Sequence, residues 1–294
     1  MPIHTCLRLF FALFSFMVAS HGAAEAYLLS TSQITQQMVK KLGRVKAVKL
    51  TETETFFSAA SEGAAEPRVV EGELTLQRPD RFYDLLFEGE KRVETYGTVD
   101  DWFRVVDGKR VEGSAGPSES YIEPLQLRSR DLFRAALLKW NVDVETTSLG
   151  RHNGRIAWVV GAKAFQPEMA DAPQFWVEKE SFLPMRWILP TSSGATLEVW
   201  YHDWFKQGNA SWPGRIEFYR NGFLFREIRM ADVKRTKALA DHRFDAERYP
   251  LKGAVENQTP LSAPPENPVE QPPSEGEKRL QELEEILSRD SLAF

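Results

Sequence analysis

The chain has 294 residues, a formal net charge of −5 at pH 7 and a 42% hydrophobic fraction. Acidic and basic residues are interspersed without a cationic stripe, which argues against a nucleic-acid surface, and the apolar content is enough for one large core or two small ones. Cys6 is the only cysteine, so the chain beyond it has no disulfide framework and no thiolate metal site.

The N-terminus has the layout of a cleaved secretion signal over residues 1–26. Arg8 precedes the apolar run "LFFALFSFMVA", and small residues lead to "AEA" at Ala24 to Ala26. The run is too short to span a bilayer. Cleavage predicts a mature protein starting near Tyr27, outside the cytoplasm; a retained signal anchor is the alternative.

A helix comes first. Ser30 and Gln33 have capping-box spacing, and Ile34, Met38 and Leu42 recur every four residues up to Gly43. Strands follow. "RVKAVKLTETETFF" alternates from Val45 to Leu50, "VVEGELTLQRP" alternates through Val70, Leu74 and Leu76, and three further segments run to about Gly113. Between Pro117 and Trp140 the pattern turns helical: Leu132, Phe133, Ala136, Leu137 and Trp140 form one apolar stripe, which predicts a helix from about Ser129. Pro124 marks a turn or short helix before it. Strands resume with "RIAWVVGAKAF", the hairpin "PQFWVEKESFLPMRWILP" at 173–190, "ATLEVWYHDWF", "GRIEFYRNG" and "FLFREIRMADV". Asn221 and Gly222 form a two-residue hairpin turn. About ten or eleven strands in sequence with few helices predict an antiparallel, strongly curved, mainly β domain over residues 27–250.

Past Arg248 proline dominates. Residues 251–276 read as an extended linker, and 277–294 as a short amphipathic helix with Leu280, Leu283 and Leu287 on one stripe. That tail is either a partly helical free end or a segment that docks on a partner or on the domain.

Signs of catalysis are few. His152, His202 and His242 have no second ligand-type residue four positions on in a helix, and no nucleophile-elbow, P-loop or dinucleotide-binding motif occurs. Glu71, Glu73 and Glu88 fit solvated strand faces. No catalytic residue, metal or cofactor is therefore expected. The bulk of aromatic surface stands out instead. In the 173–190 hairpin, alternation puts Phe175 with Val177 on one face and Trp176 with Glu178 on the other, and after the turn Met185 aligns with Trp187. Together, Trp102, Trp158, Trp176, Trp187 and Trp200 suggest a large concave interior.

The segment "EGELTLQRPDRF" carries Gly72, Leu74, Arg78, Pro79 and Phe82 in the pattern G-x-L-x-x-x-R-P-x-x-F. It resembles the periplasmic lipoprotein carrier family of LolA, LolB and RseB-like domains, over about residues 30 to 245. The resemblance implies a half-open β-barrel with a helical lid over an apolar cavity. It also implies that Arg78 holds the lid closed and that Phe82 influences ligand release. The expected site is then Arg78, Phe82, Leu74, Leu76 and Trp102 with Leu132, Phe133, Leu137, Trp158, Phe175 and Trp187, the helix stripe acting as a plug that exchanges with lipid. The implied role is non-catalytic carriage of lipid or lipoprotein acyl chains towards the outer membrane, by a monomer that meets inner- and outer-membrane transfer proteins. A sensor of envelope lipoprotein stress, or an envelope scaffold, is the alternative.

Overall fold

The computed structural model describes residues 28–58, 66–98, 101–111, 117–163, 172–191 and 196–251. The expected secretion signal, the terminal helix and all but the first residue of the proline-rich linker lie outside the described residues.

Helix α1 (Thr31–Leu42) opens the domain. The Ser30 side chain accepts from the Gln33 backbone N–H and the Gln33 side chain accepts from the Ser30 N–H, which is the capping box that the spacing predicts. Strands β1 (Ala47–Phe56), β2 (Arg68–Gln77), β3 (Arg81–Glu88), β4 (Lys91–Gly97), β5 (Trp102–Val106) and β6 (Lys109–Val111) then run as an antiparallel meander. The chain leaves the sheet through a 3-10 segment (Pro117–Ile122), α2 (Glu123–Gln126) and α3 (Arg130–Lys139). Pro124 sits in the first turn of α2, where its missing N–H has no helical partner to lose.

It returns as β7 (Thr147–His152), β8 (Arg155–Val160), β9 (Gln174–Glu178), β10 (Pro184–Pro190) and β11 (Thr196–His202). A small hairpin, β12 (Phe205–Gln207) with β13 (Ala210–Trp212), interrupts before β14 (Arg215–Arg220) and β15 (Phe223–Arg235). Asn221 and Gly222 both have positive φ in the turn from β14 to β15, as a two-residue hairpin of that composition requires.

The long β15 pairs with both β1 and β14 and so joins the two halves into one 13-stranded sheet running from β6 to β7. No pairing between β6 and β7 closes it among the described residues. This is a half-open barrel, with α1, α3 and the β12–β13 hairpin packed into its concave face. The strand number exceeds the ten or eleven expected because β6, β12 and β13 are three residues each, too short for alternation to register, and because β7, with Leu149 as its one large apolar residue, shows no alternation either.

The convex face is covered in part by the segment after β15. Leu239, Phe244 and Tyr249 pack on Tyr83, Leu85, Tyr96 and Val105, and the Arg110 N–H donates to the Pro250 carbonyl beside the β6 edge. No helix among the described residues is long and apolar enough to cross a membrane.

Candidate functional site

Register places the expected site residues on one surface. Leu74 and Leu76 on β2 face Asp84 and Phe82 on β3, Phe82 faces Gly97 on β4, and Gly97 faces Trp102 on β5. Across the sheet, Trp187 on β10 faces Phe175 on β9, and Val177 faces Trp158 on β8. All the apolar members named here belong to one core with α1 and α3, Trp102 being half-buried at its margin. Gly97 has a local reason: a Cβ there would lie 2.3 Å from the Phe82 ring, so the ring rests on bare backbone.

Helix α3 meets this surface with Phe133, Ala136 and Leu137. The Phe133 ring stands 4.9 Å from Phe175 and 6.1 Å from Trp187, whose centroids are 5.3 Å apart in an edge-on arrangement. Leu132 departs from expectation. It is 42% exposed, because the buried stripe of α3 is narrow and Leu132 falls on the flank facing away from the sheet.

Two tryptophans are likewise on the other side. Trp176 packs with Ala157, Val159 and Met185 in a separate convex cluster, and Trp200 lies there against His152 and Tyr219, at ring distances of 4.3 and 4.6 Å. Met185 does not share the face of Trp187, since a register shift between Pro184 and Arg186 turns it outward. The concave face instead takes Trp212 from β13, fully buried and unmarked by any strand-length alternation.

Two arginines bond the turn that precedes α3. Arg78, just past β2, donates from Nη2 to the carbonyl of Arg128 at 3.2 Å. Arg128, between α2 and α3, is itself buried and donates to the Leu125 carbonyl at 2.9 Å, to the Leu42 and Gly43 carbonyls at the end of α1, and to the Ser211 carbonyl at 3.4 Å. Its guanidinium lies 4.4 Å above the Trp212 ring. A helix ends with unsatisfied carbonyls and a partial negative charge, so this cation fits there. The Ser211 hydroxyl donates to the Lys41 carbonyl and completes the cap. Gly43 permits the approach: a Cβ would lie 1.8 Å from the Asn209 carbonyl oxygen. Burial, then the charge of Arg78, lowers the Arg128 pKa to about 9, which leaves it protonated at neutral pH.

The far end of the same concave face is charged. Glu52 and Glu54 on β1 continue the face of Val48 and Leu50, and Asp84 on β3 and Arg104 on β5 lie on it by register. Arg226 on β15 chelates Glu54 through Nε at 3.1 Å and Nη2 at 2.5 Å. Tyr121, from the 3-10 segment, covers Arg226 with its ring at 5.3 Å. Burial, and then the Asp84 charge, pushes the Glu52 carboxyl well above its usual range; burial, and then Glu54, raises Asp84 to about 7. These acids were not among the residues expected from the sequence, whereas Glu71 is exposed and Glu73 and Glu88 half-exposed as their alternation predicts.

No protein-family model matches the sequence, and no curated protein sequence does either. Solved structures do match. A LolA superfamily protein from Nitrosomonas europaea superposes with a TM-score of 0.50 at 9% identity, over 74% of this chain and 99% of that one. An outer membrane lipoprotein-sorting protein domain from Vibrio parahaemolyticus matches at 0.49 and 12%, over 74% and 96% of the two chains. A DUF1329 family protein from Desulfovibrio piger matches at 0.48 and 12%, over 74% and 97%. The domain has the fold of the LolA superfamily: a half-open antiparallel barrel with a helical lid.

Proposed function

We propose that the protein is a non-catalytic envelope carrier that accommodates acyl chains of lipid or lipoprotein between the concave sheet and its lid. One observation carries the reading: the apolar contact of α3 is concentrated in Phe133, Ala136 and Leu137, while the turn before it is fastened by arginines bonded to carbonyls and not to carboxylates. Helix α3 can then swing away while the 3-10 segment keeps its Glu119–Arg104 ion pair.

Magnitudes favour the exchange. Returning those three side chains to water costs on the order of 5 kcal/mol. A chain of about sixteen carbons entering the same surface gains on the order of 12 kcal/mol, at about 0.8 kcal/mol per methylene. The surplus covers part of the cost of opening and binding, and a lid that recloses on its own aromatic plug favours release.

Titration with a fluorescent long-chain fatty acid and with an acylated peptide tests the proposal. Saturable binding of one ligand per chain is expected, with faster loading in Arg78→Leu. If neither probe binds the wild type or the variant, the carrier reading fails; equal loading rates in the two remove Arg78 as a latch.

A further inference from the structure

The charged end of the concave face is unlike the apolar surface around it, and its polar atoms are unevenly matched. Arg226 is engaged by Glu54, and Arg104 pairs with Glu119 at 3.7 Å. Among the described residues Glu52 and Asp84 have no ion-pair partner, although Glu52 is 1% exposed. Neither Glu52 oxygen nor Asp84 Oδ1 meets a hydrogen-bond donor, the two acids having only each other to bond, and the hydroxyl of the buried Tyr121, which arrives from the lid side beside both acids, has no partner either. One oxygen each of Glu52, Glu54 and Asp84 lie within 4.8 Å of one another.

Left ionised without a cation or a proton, two buried carboxylates side by side would be among the costliest arrangements a core can hold. From this geometry we infer that Glu52, Glu54 and Asp84, with the Tyr121 hydroxyl, form a binding site for one oxygen-preferring divalent cation of the calcium class.

The donor set is oxygen alone, without thiolate or imidazole, which selects hard cations over zinc or copper. Calcium accepts irregular oxygen coordination and direct carboxylate ligation, whereas magnesium demands a near-octahedral shell and keeps several waters. One ion neutralises Glu52 and Asp84 together. A proton shared between the two acids is the rival occupant, and it would leave a Glu52 oxygen and the Tyr121 hydroxyl unmatched. The ion would tie β1 and β3 to the 3-10 segment that leads into the lid. This inference is independent of the acyl-chain reading.

Calorimetric titration of the chelator-treated full chain with calcium, magnesium and zinc chlorides near neutral pH tests it, together with thermal unfolding. One calcium per chain is expected, with a rise in Tm of about 5–10 °C at a hundredfold excess over the dissociation constant. The Glu52→Gln, Asp84→Asn double variant should lose both signals, and Glu73→Gln, a half-exposed acid paired with Lys49, should keep them. Terbium luminescence excited through tyrosine gives a second readout. It should appear at one equivalent in the wild type and fall in Tyr121→Phe, which keeps the ring over Arg226. The assignment is overturned by no calcium binding up to about 10 mM, by binding undiminished in the double variant, or by zinc binding tighter than calcium at these residues. Stabilisation on acidification without any cation effect would identify the proton as the occupant.

Discussion

Arg78 reaches across from the end of β2 to hold the backbone carbonyl of Arg128 at 3.2 Å, and Arg128 in turn holds the carbonyls that end α1. The two arginines act in series, but their burdens differ. Arg78 contributes one bond to the lid, while Arg128 bonds α1, α2 and β13 from a buried position. Arg78→Leu should therefore cost about 1 kcal/mol, and Arg128→Met about 2–4 kcal/mol because buried carbonyls lose their donor. Urea unfolding measures the costs. Hydrogen exchange should rise over residues 117–139 in both variants, more in Arg128→Met.

The neighbours Leu132 and Phe133 should differ sharply on truncation. Phe133 is 0% exposed against Phe175 and Trp187, so Phe133→Ala is expected to cost about 3–5 kcal/mol, including the cavity it leaves. Leu132→Ala, on the exposed flank, should stay within about 0.5 kcal/mol. In acyl-chain titrations Phe133→Ala should also bind more tightly, since the plug that the ligand must displace is smaller.

That contrast marks how far the sequence could be read. Period and capping located α1, the strand meander, the helix near Ser129 and the Asn221–Gly222 turn, because each is specified by residues close in the chain. A helical stripe does not distinguish its centre from its flank, so Leu132 and Phe133 look alike until the sheet beneath is known. Strict alternation put Met185 with Trp187, and one register shift in β10 separated them. Arg128 sits inside "LRSR" with nothing local to mark it; its partners Leu42 and Ser211 are 86 and 83 residues away. Glu52 and Glu54 do keep the two-residue period of Val48 and Leu50, but their burial follows from the packing of β15 and the 3-10 segment, which periodicity does not reveal.

Stability should depend on pH through Asp84 in chelator-treated protein. Its carboxyl is raised to about 7, first by burial and then by Glu54, so the folded state holds a proton that the unfolded chain releases near its ordinary value. Stability is then fully present below the unfolded pKa and declines as pH rises through about 7, by an amount on the order of 4 kcal/mol. Glu52, raised in the same direction, adds to the slope. Thermal melts between mildly acidic and mildly alkaline pH should show Tm falling, and Asp84→Asn should flatten the curve.

Glu54 and Arg226 form the most buried ion pair described, and its worth depends on how it is broken. Burial works against the Arg226 charge, and the Glu54 carboxylate more than offsets this, holding its pKa above the ordinary value. Glu54→Gln leaves that guanidinium charged without its counter-ion between the Tyr121 and Phe218 rings, and should cost about 3–5 kcal/mol. Removing both charges in Glu54→Gln, Arg226→Met spares the desolvation of each and should restore most of the loss. A double-mutant cycle by urea unfolding reads the difference. Equal instability in the single and double variants would mean that Arg226 stabilises through its stacking on the aromatic rings and not through its charge.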